Sequence, residues 1–321
     1  MKVKKEYVIL TIVIIGLSLY LFTRSKDRTH FELPDLDPVD AKAIDRLAFQ
    51  KGDAVVELVR KDDSWFVGEK AYRADSIKAR NMVQATADFK ITALVSESGN
   101  YDRYDLTDDK KTAVRAYAGT AILRNFDIGR GAPTNRHSFV RLDGDPKVYH
   151  ARGNIHETFD ATVDELRDET VLEIEQTEVK ALGIDKAGRR LTITKKETPV
   201  QKESGAKETG APKPSQQWQD QDGNAVDLAA VTSLLKEFKQ LKCSDYMADD
   251  AKPTLKDPIW TITFTTADQQ RRLSVFALPN DEAIEHPAVS SGSDYAFFLT
   301  KSRVEGIGMQ LDKLLDGGQT Q

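Results

Sequence analysis

Cysteine is nearly absent from this sequence, and its scarcity limits the chemistry that the protein can perform. The 321 residues include a single cysteine, Cys243. An internal disulfide needs two cysteines and a thiolate zinc site needs several, so the sequence excludes both. A lone cysteine is most often a small buried residue, and we predict that Cys243 packs beside the second of two main helices.

The motifs that usually identify an enzyme are also missing. The sequence has no Gly-x-x-x-x-Gly-Lys-Ser/Thr phosphate loop and no Gly-x-Ser-x-Gly turn. Gly129-Arg130-Gly131 is followed by Pro133 and Asn135 and not by a helix, so it predicts a loop between strands and not a phosphate cradle. We therefore predict a protein that is not an enzyme, with no catalytic residues and no cofactor.

Histidine is scarce, and its spacing does not suit a metal ion. The five histidines are His30, His137, His150, His156 and His286. His150 and His156 are six residues apart, which takes them off a shared helical face. We predict no metal site.

Four arginines lie close together near the middle of the chain: Arg124, Arg130, Arg136 and Arg141. They could line an anion-binding site. Charged residues on the outer face of an antiparallel sheet would give the same pattern. We favour the sheet surface and keep the anion site as the alternative.

The charge distribution argues against a nucleic-acid partner. The formal net charge is −5, although residues 1–28 contain six Lys and Arg against only Glu6 and Asp27. The rest of the chain is therefore more acidic than the total suggests. Phosphate backbones are bound by clustered Lys and Arg, which this acidic body does not favour.

One long apolar run, residues 7–23, lies near the N-terminus with basic residues on both sides. Seventeen helical residues span roughly 25 Å, which is short of a ~30 Å hydrocarbon core but within the range of membrane-spanning helices. A cleaved signal peptide is the rival interpretation, but no small-x-small cleavage site follows the run. We predict that residues 1–28 are an uncleaved signal anchor in the cytoplasmic (inner) membrane, with the N-terminus inside and the bulk of the chain periplasmic or extracellular.

A signature that occurs twice organises the remaining sequence. Trp65 precedes Asp75 by ten residues and Trp218 precedes Asp227 by nine, and each Asp stands seven and eight residues before an apolar pair. An Asp in this position predicts a helix N-cap, and the apolar residues after it fall on one helical face. Each Trp should end a strand, and each helix should cover the sheet to which that strand belongs.

Flanking apolar positions extend the repeat. Upstream, Ile44, Leu47, Phe49, Val56 and Leu58 match Val179, Leu182, Ile184, Leu191 and Ile193 at constant spacing. Downstream, Val114, Ala116, Leu123 and Phe126 match Ile262, Phe264, Leu273 and Phe276. The chain is therefore predicted to be a tandem duplication, with two domains of one kind.

The predicted fold is α+β, with two tandem repeats of antiparallel sheet, each backed by one main helix, after a single transmembrane helix. Repeat 1 covers residues 29–170 and repeat 2 covers residues 171–321. Residues 43–50 and 54–60 alternate apolar and polar and are expected to form a hairpin, and residues 190–196 are the corresponding strand before Trp218. Further strands are expected at 112–118, 121–128, 138–142, 147–150, 259–265, 271–277 and 295–300, with a closing helix at 303–315. The stretches 99–109 and 129–135 are predicted loops, 155–169 is a connecting segment, and 197–216, rich in Lys, Glu, Gly and Pro, is a predicted mobile loop.

The paired tryptophans allow two interpretations. They could be platforms for a ligand, or they could be core residues. We predict that Trp65 and Trp218 are both core, because positions kept through a duplication more often preserve packing than a binding site.

The chain resembles the bacterial envelope proteins of domain-of-unknown-function family 4340. The matching segments are Ser64-Trp65-Phe66-Val67, Tyr72-Arg73-Ala74-Asp75, Tyr104-Asp105-Leu106, Asp127-Ile128-Gly129, Phe139-Val140-Arg141 with Val148-Tyr149, and Leu166-Arg167-Asp168. Asp105 stands where that family usually has Gly. The resemblance implies a single-pass membrane protein, often encoded beside ABC-2-type permeases and gliding-motility-like transport components, and it implies no catalytic residues.

From the residues and the resemblance together, we expect a noncatalytic extracytoplasmic accessory or scaffold subunit of an ABC-type export or motility complex. Its partners would be the membrane, through the N-terminal helix, and a transporter permease or related envelope subunit. The alternative is a lipid- or small-ligand-binding module of the cell envelope. A long apolar pocket between sheet and helix would favour that alternative, and a filled core would favour the scaffold.

Overall fold

A computed structural model describes the backbone of residues 5–24, 33–198 and 215–317, and the side chains of 10–20, 33–196 and 217–317. The chain divides into two compact units, residues 1–168 and 169–321, two residues before the boundary expected from the sequence. Most of the predicted mobile loop 197–216 lies outside the described residues. Its ends belong instead to paired strands, in which Thr198 lies opposite Ser215.

The predicted anchor segment forms a helix, α1, over Lys5–Arg24. Its large apolar side chains between Leu10 and Tyr20 are 50–65% exposed. Among the residues that the structure describes, no helix is both long enough and apolar enough to cross a membrane.

Unit 1 contains one nine-stranded antiparallel sheet. Its strands are β1 Arg46–Lys51, β2 Ala54–Lys61, β3 Ser64–Val67, β4 Tyr72–Arg73, β5 Ile91–Ser96, β6 Thr112–Ala118, β7 Ala121–Gly131, β8 His137–Leu142 and β9 Val148–Arg152. Their order across the sheet is β4-β3-β2-β1-β6-β7-β8-β9-β5. The other helices of this unit are α2 Ser76–Ala87, α3 Ile155–Thr158 and α4 Val163–Leu166, so the connecting segment 155–169 is partly helical.

Helix α2 starts as the sequence predicts. The Asp75 carboxylate accepts hydrogen bonds from the backbone N–H groups of Ile77 and Lys78, at 2.8 and 3.0 Å, which satisfies two of the free donors of the first turn. Its buried face carries Met82 and Val83, the apolar pair of the repeat signature. This face packs in the main core of the unit.

The second face of the unit 1 sheet is also partly covered. The predicted loop 99–109 contains a short 3-10 helix, Tyr101–Tyr104, followed by Leu106, which is 1% exposed. Leu106 joins Phe139 and Val148 in a small separate cluster. The segment is therefore a loop as predicted, but one that is packed against the sheet.

Unit 2 contains a second nine-stranded antiparallel sheet and a two-stranded one. The strands of the unit are β10 Thr170–Leu172, β11 Ala181–Lys186, β12 Arg189–Thr198, β13 Ser215–Gln219, β14 Ala225–Val226, β15 Leu241–Lys242, β16 Asp245–Tyr246, β17 Trp260–Thr265, β18 Gln270–Val275, β19 Glu285–Ser290 and β20 Phe297–Thr300. The large sheet runs β14-β13-β12-β11-β17-β18-β19-β20-β16, and β10 pairs with β15. Helices α5 Leu228–Glu237 and α6 Lys301–Gly317 complete the unit.

The two large sheets have the same strand order, with each strand of unit 1 matched by one of unit 2. Their registers also agree, since Leu47 pairs with Leu58 as Leu182 pairs with Ile193. Two predicted correspondences, Leu123 with Leu273 and Phe126 with Phe276, are wrong. Val114 pairs with Phe126 and Ile262 pairs with Leu273, so Leu273 matches Phe126 and not Leu123. A register shift after Ala116 and a tighter β6–β7 turn displace the sequence match there.

Strand β19 is absent from the sequence prediction. It contains Pro287, which cannot donate a ladder hydrogen bond. The structure supplies a substitute donor. His286 Nδ1 lies 2.8 Å from the Phe276 carbonyl oxygen, while the Phe276 N–H donates to the Pro287 carbonyl at 2.9 Å. The buried histidine thus replaces the bond that proline removes, and the strand continues.

Two local predictions have different outcomes. Cys243 is a buried free cysteine in the unit 2 core, as expected. The predicted loop 129–135 begins too early, because β7 continues to Gly131.

Candidate functional site

A cleft with a volume of about 640 Å³ lies where α2 of unit 1 meets the edge of the sheet. We call it the Trp65 cleft. It is lined by residues of three segments, 39–42, the hairpin from Arg60 to Trp65, and the stretch from Arg73 to Asp88. Four cationic side chains line it: Lys42, Arg60, Arg73 and Arg80.

Trp65 does not have the core position that the sequence predicts. It is partly buried, packs against the edge of the main core and lines the cleft. Trp218 of unit 2 has the equivalent ladder position and is 3% exposed, so only that half of the prediction is correct. The sequence repeat gave no signal of this difference, because the surrounding side chains decide how far each ring is covered.

Arg60 is held in place at the cleft by its neighbours. Its Nη2 donates to the Lys42 carbonyl oxygen at 2.7 Å, and its guanidinium carbon lies 5.9 Å from the centroid of the Trp65 ring. Trp65 is also its cross-strand partner. A guanidinium has five N–H donors, so most of them remain for a ligand.

The other charged groups of the cleft differ in the ion pairs and hydrogen bonds that they form. Arg73 forms an ion pair with Asp168, at 3.5 Å. Arg80 is exposed on α2 and forms no ion pair with any residue that the structure describes. The cleft also holds three carboxylates, of which Asp40 accepts from the Lys42 N–H at 2.9 Å and Asp88 accepts from Gln84 Nε2 at 2.8 Å.

Beside the cleft, two motif segments that are far apart in sequence come together. The Asp75 N–H donates to the Leu166 carbonyl, and the Asp168 N–H donates to the Arg73 carbonyl, both at 2.8 Å. The Arg167 guanidinium, almost fully buried, lies 3.7 Å above the ring centre of Tyr72. These bonds fix the start of α2, so the motif has a structural role that also shapes the cleft.

The remaining motif segments meet on the other side of the unit 1 sheet. Gly129 is required there, since a Cβ at this position would overlap the Tyr104 carbonyl oxygen. Asp105 has φ of 54°, a left-handed conformation that glycine adopts more readily. The left-handed backbone at this position therefore explains why the family that the chain resembles usually has Gly there.

A second pocket of about 310 Å³ lies beside this loop. Arg141 donates to the Asp127 carboxylate at 2.5 Å and lies 4.6 Å from the ring centre of Tyr101. Burial and a hydrogen bond to Asp145 raise the pKa of the Tyr149 hydroxyl, which donates to that carboxylate at 2.6 Å. The pKa of Asp145 is lowered, because the bonds from Tyr149 and the Lys147 N–H outweigh its burial. These groups are paired with one another.

A third depression, of about 390 Å³, is mostly apolar. It is lined by Phe49, Val55 and Val56 on the first hairpin and by Phe159 and Val163 on the opposite side. Val55 is 59% exposed. This groove lies on the surface of unit 1 and not in the space between its sheet and α2.

The four clustered arginines do not form one anion site. Arg124 donates to the Asp37 carbonyl, Arg130 lies 5.7 Å from the ring centre of Phe139, and Arg141 pairs with Asp127. The second pocket includes Arg141 alone of the four. The cations that do share a cleft, Lys42, Arg60, Arg73 and Arg80, come from separate segments that the fold brings together.

The histidines also have separate environments. His137 and His150 stack with ring centroids 5.5 Å apart, and burial together with His137 lowers the pKa of His150. His30 lies outside the described residues. Within the described chain, no group of three or more His, Cys, Asp or Glu side chains is placed to hold a metal ion.

Comparison with known proteins identifies a family and nothing more specific. A family model described as a domain of unknown function, DUF4340, matches residues 65–258, which is more than half of the 321-residue chain. No curated protein and no solved structure matches. The matched span begins at Trp65 and includes both groups of motif segments described above.

Proposed function

The chain belongs to the DUF4340 family, and we propose that it is a noncatalytic accessory or scaffold subunit of an ABC-type export or motility complex, working outside the cytoplasm. Its two sheet-and-helix units would present rigid surfaces to a membrane-embedded partner. The partner class comes from the resemblance described above.

The observation that favours a scaffold is the filled space between each sheet and its helix. In unit 1, Leu47 on the sheet and Met82 on α2 are at most 1% exposed. In unit 2, Leu182, Val231 and Leu234 are each 0% exposed. A carrier of lipid needs an apolar cavity of several hundred Å³ in such a place. Packed interiors suit a protein that acts through its outer surface.

The proposal includes attachment to the membrane through helix α1. Its exposed apolar side chains would cost free energy in water, at roughly 25 cal/mol for each Å² of apolar surface. Flanking basic residues are typical of an anchor whose ends lie at the lipid headgroups. We therefore propose a single-pass protein of the cytoplasmic (inner) membrane with both units outside.

A lipid- or small-ligand-binding module is the second candidate, and the apolar groove of unit 1 favours it. The groove offers aromatic and branched side chains to a ligand. Mass spectrometry of the protein extracted with a mild detergent separates the two functions. A stoichiometric lipid that Val55→Asp removes would support the carrier, whereas a lipid-free protein would support the scaffold.

Crosslinking in intact membranes tests the scaffold directly. A photoreactive amino acid would replace Ile122 in unit 1 or Ile284 in unit 2, which are 56% and 75% exposed apolar residues. The same group at the polar, exposed position Glu97 is the matched control. We expect at least one apolar position to capture a multi-spanning transport subunit. Capture of no transport component from either unit would refute the proposal.

A further inference from the structure

We propose that the Trp65 cleft binds a small organic monoanion that carries a flat apolar group. The guanidinium groups of Arg60 and Arg80 would hold the anionic end, and the Trp65 ring would contact the flat part. This binding site goes beyond the scaffold function and does not depend on it.

Two of the four cationic residues of the cleft, Arg73 and Arg80, are not needed for this architecture, and unit 2 provides the comparison. Its sheet has the same strand order and its helix α5 begins at an equivalent N-cap, Asp227. Where unit 1 has Arg73 and Arg80, unit 2 has Ala225 and Thr232. The same architecture therefore forms without these two arginines, so packing alone does not explain why unit 1 has them.

The side chain of Arg80 is available to a ligand. It lines the cleft from an exposed position on α2 and has no ion pair within the described chain. Arg60 is preorganised by the Lys42 carbonyl and by Trp65. A fixed planar guanidinium suits a carboxylate, since two parallel N–H donors can reach both oxygens. Preorganisation also lowers the entropy that binding would cost.

Trp65 supplies the second part of the site. Unlike Trp218 and Trp260, which are 3% and 2% exposed, it is only partly buried. Part of its surface lies on a cleft large enough for a ligand of about a dozen non-hydrogen atoms. Flat groups stack favourably on aromatic rings.

The carboxylates of the cleft limit the charge of the ligand. Asp40, Asp63 and Asp88 line it together with the four cations. A doubly charged anion would be repelled by these carboxylates, whereas a monoanion needs only one guanidinium-rich end. We therefore expect a carboxylate to bind in preference to a phosphate dianion.

The test is a titration of the full chain in lipid nanodiscs, followed by tryptophan fluorescence with excitation at 295 nm. Trp65 is the tryptophan that a ligand in the cleft can reach. The probe is 3-phenylpropionate. Three comparison compounds separate the requirements: 3-phenylpropionamide lacks the charge, acetate lacks the ring and phenyl phosphate is a dianion at pH 8. We expect saturable binding of 3-phenylpropionate, with each comparison compound at least threefold weaker.

The variants test the assigned residues. Arg80→Thr introduces the residue of unit 2, and Arg80→Ala provides a better helix former; each should raise the dissociation constant about tenfold or more through loss of a charged hydrogen bond. Arg115→Thr is the matched control, because Arg115 is exposed on β6 outside the cleft. It should change the constant less than twofold. Equal binding of acid and amide, no effect of the Arg80 variants, or no saturable binding would overturn the proposal.

Discussion

Replacing Trp218 by alanine should destabilise unit 2 much more than the same replacement of Trp65 should destabilise unit 1. The two rings lie at equivalent ladder positions, opposite Lys195 and Arg60. Trp218 is 3% exposed. Removing a tryptophan that buries roughly 150–250 Å² costs about 4–6 kcal/mol at 25 cal/mol/Å². Trp→Ala changes in cores cost about 3–5 kcal/mol, so we expect about 4 kcal/mol.

The corresponding loss at Trp65 should be about 1–2 kcal/mol. Its ring is already partly in contact with solvent in the cleft. Truncation there removes less buried apolar area, and water can enter the vacated space, so the cavity contribution is small. The difference between the variants should therefore exceed about 2 kcal/mol.

Hydrogen exchange measured at increasing urea concentrations gives the free energy of unfolding of each unit separately, because peptides from β1 and β11 report on the first and the second sheet. Trp218→Ala should lower the protection of β11 peptides and leave β1 peptides near the wild-type value. Trp65→Phe and Trp218→Phe are the conservative controls. Equal losses from the two alanine variants would refute the distinction between a core tryptophan and a cleft tryptophan.

Three further predictions concern single residues. Gly129→Ala should destabilise unit 1 by about 3 kcal/mol, because its Cβ would overlap the Tyr104 carbonyl; Gly131→Ala, whose Cβ would lie 3.4 Å from the nearest heavy atom, should cost under about 1 kcal/mol in the same urea series. Asp105→Gly should raise stability by ~0.5 kcal/mol, since its φ is 54°, and an unchanged or lower urea midpoint would contradict this. Burial and the nearby Glu169 raise the pKa of Cys243 to about 12. This thiol should resist iodoacetamide at pH 9. Its contribution to stability is complete below the unfolded pKa of about 8.5 and should be lost as the pH rises toward 12. Alkylation of the native protein at the rate of the unfolded chain would contradict this prediction.

The repeated architecture could be read from the sequence because its signals are local. Asp75 and Asp227 each cap a helix, and the side chain that accepts the first-turn N–H groups is the one that the pattern identifies. The alternating hairpins before each Trp fix the register of β1 with β2 and of β11 with β12. Period-two patterning determines register strongly wherever one face is buried.

The candidate site could not be read in the same way, because it depends on how separate elements pack together and not on a local pattern. Lys42, Arg60 and Arg80 come from three separate elements and meet only at the sheet edge. The four arginines that cluster in sequence, such as Arg124 and Arg141, are separated by their different partners. Clustering along the chain therefore does not place these arginines in one anion site, and the alternative kept open from the sequence is wrong.

Strand β19 is also absent from the sequence prediction, and it contains Pro287. Proline is a correct local signal against a central strand. The exception arises because His286, the preceding residue, supplies the hydrogen bond to Phe276. A side chain that replaces a backbone donor leaves no trace in hydropathy or propensity.

The central claim is that the two folded units, and not the N-terminal helix, bind a membrane-embedded partner. The direct measurement is copurification of a multi-spanning transport subunit after residues 7–23 are exchanged for an unrelated single-pass anchor. This segment has no charged residue and only one glycine, Gly16, so it offers little for specific helix pairing. We expect the exchanged protein to retain the partner and residues 1–28 alone to lose it. Retention of the partner by the anchor alone would show that the helix, and not the folded units, binds it.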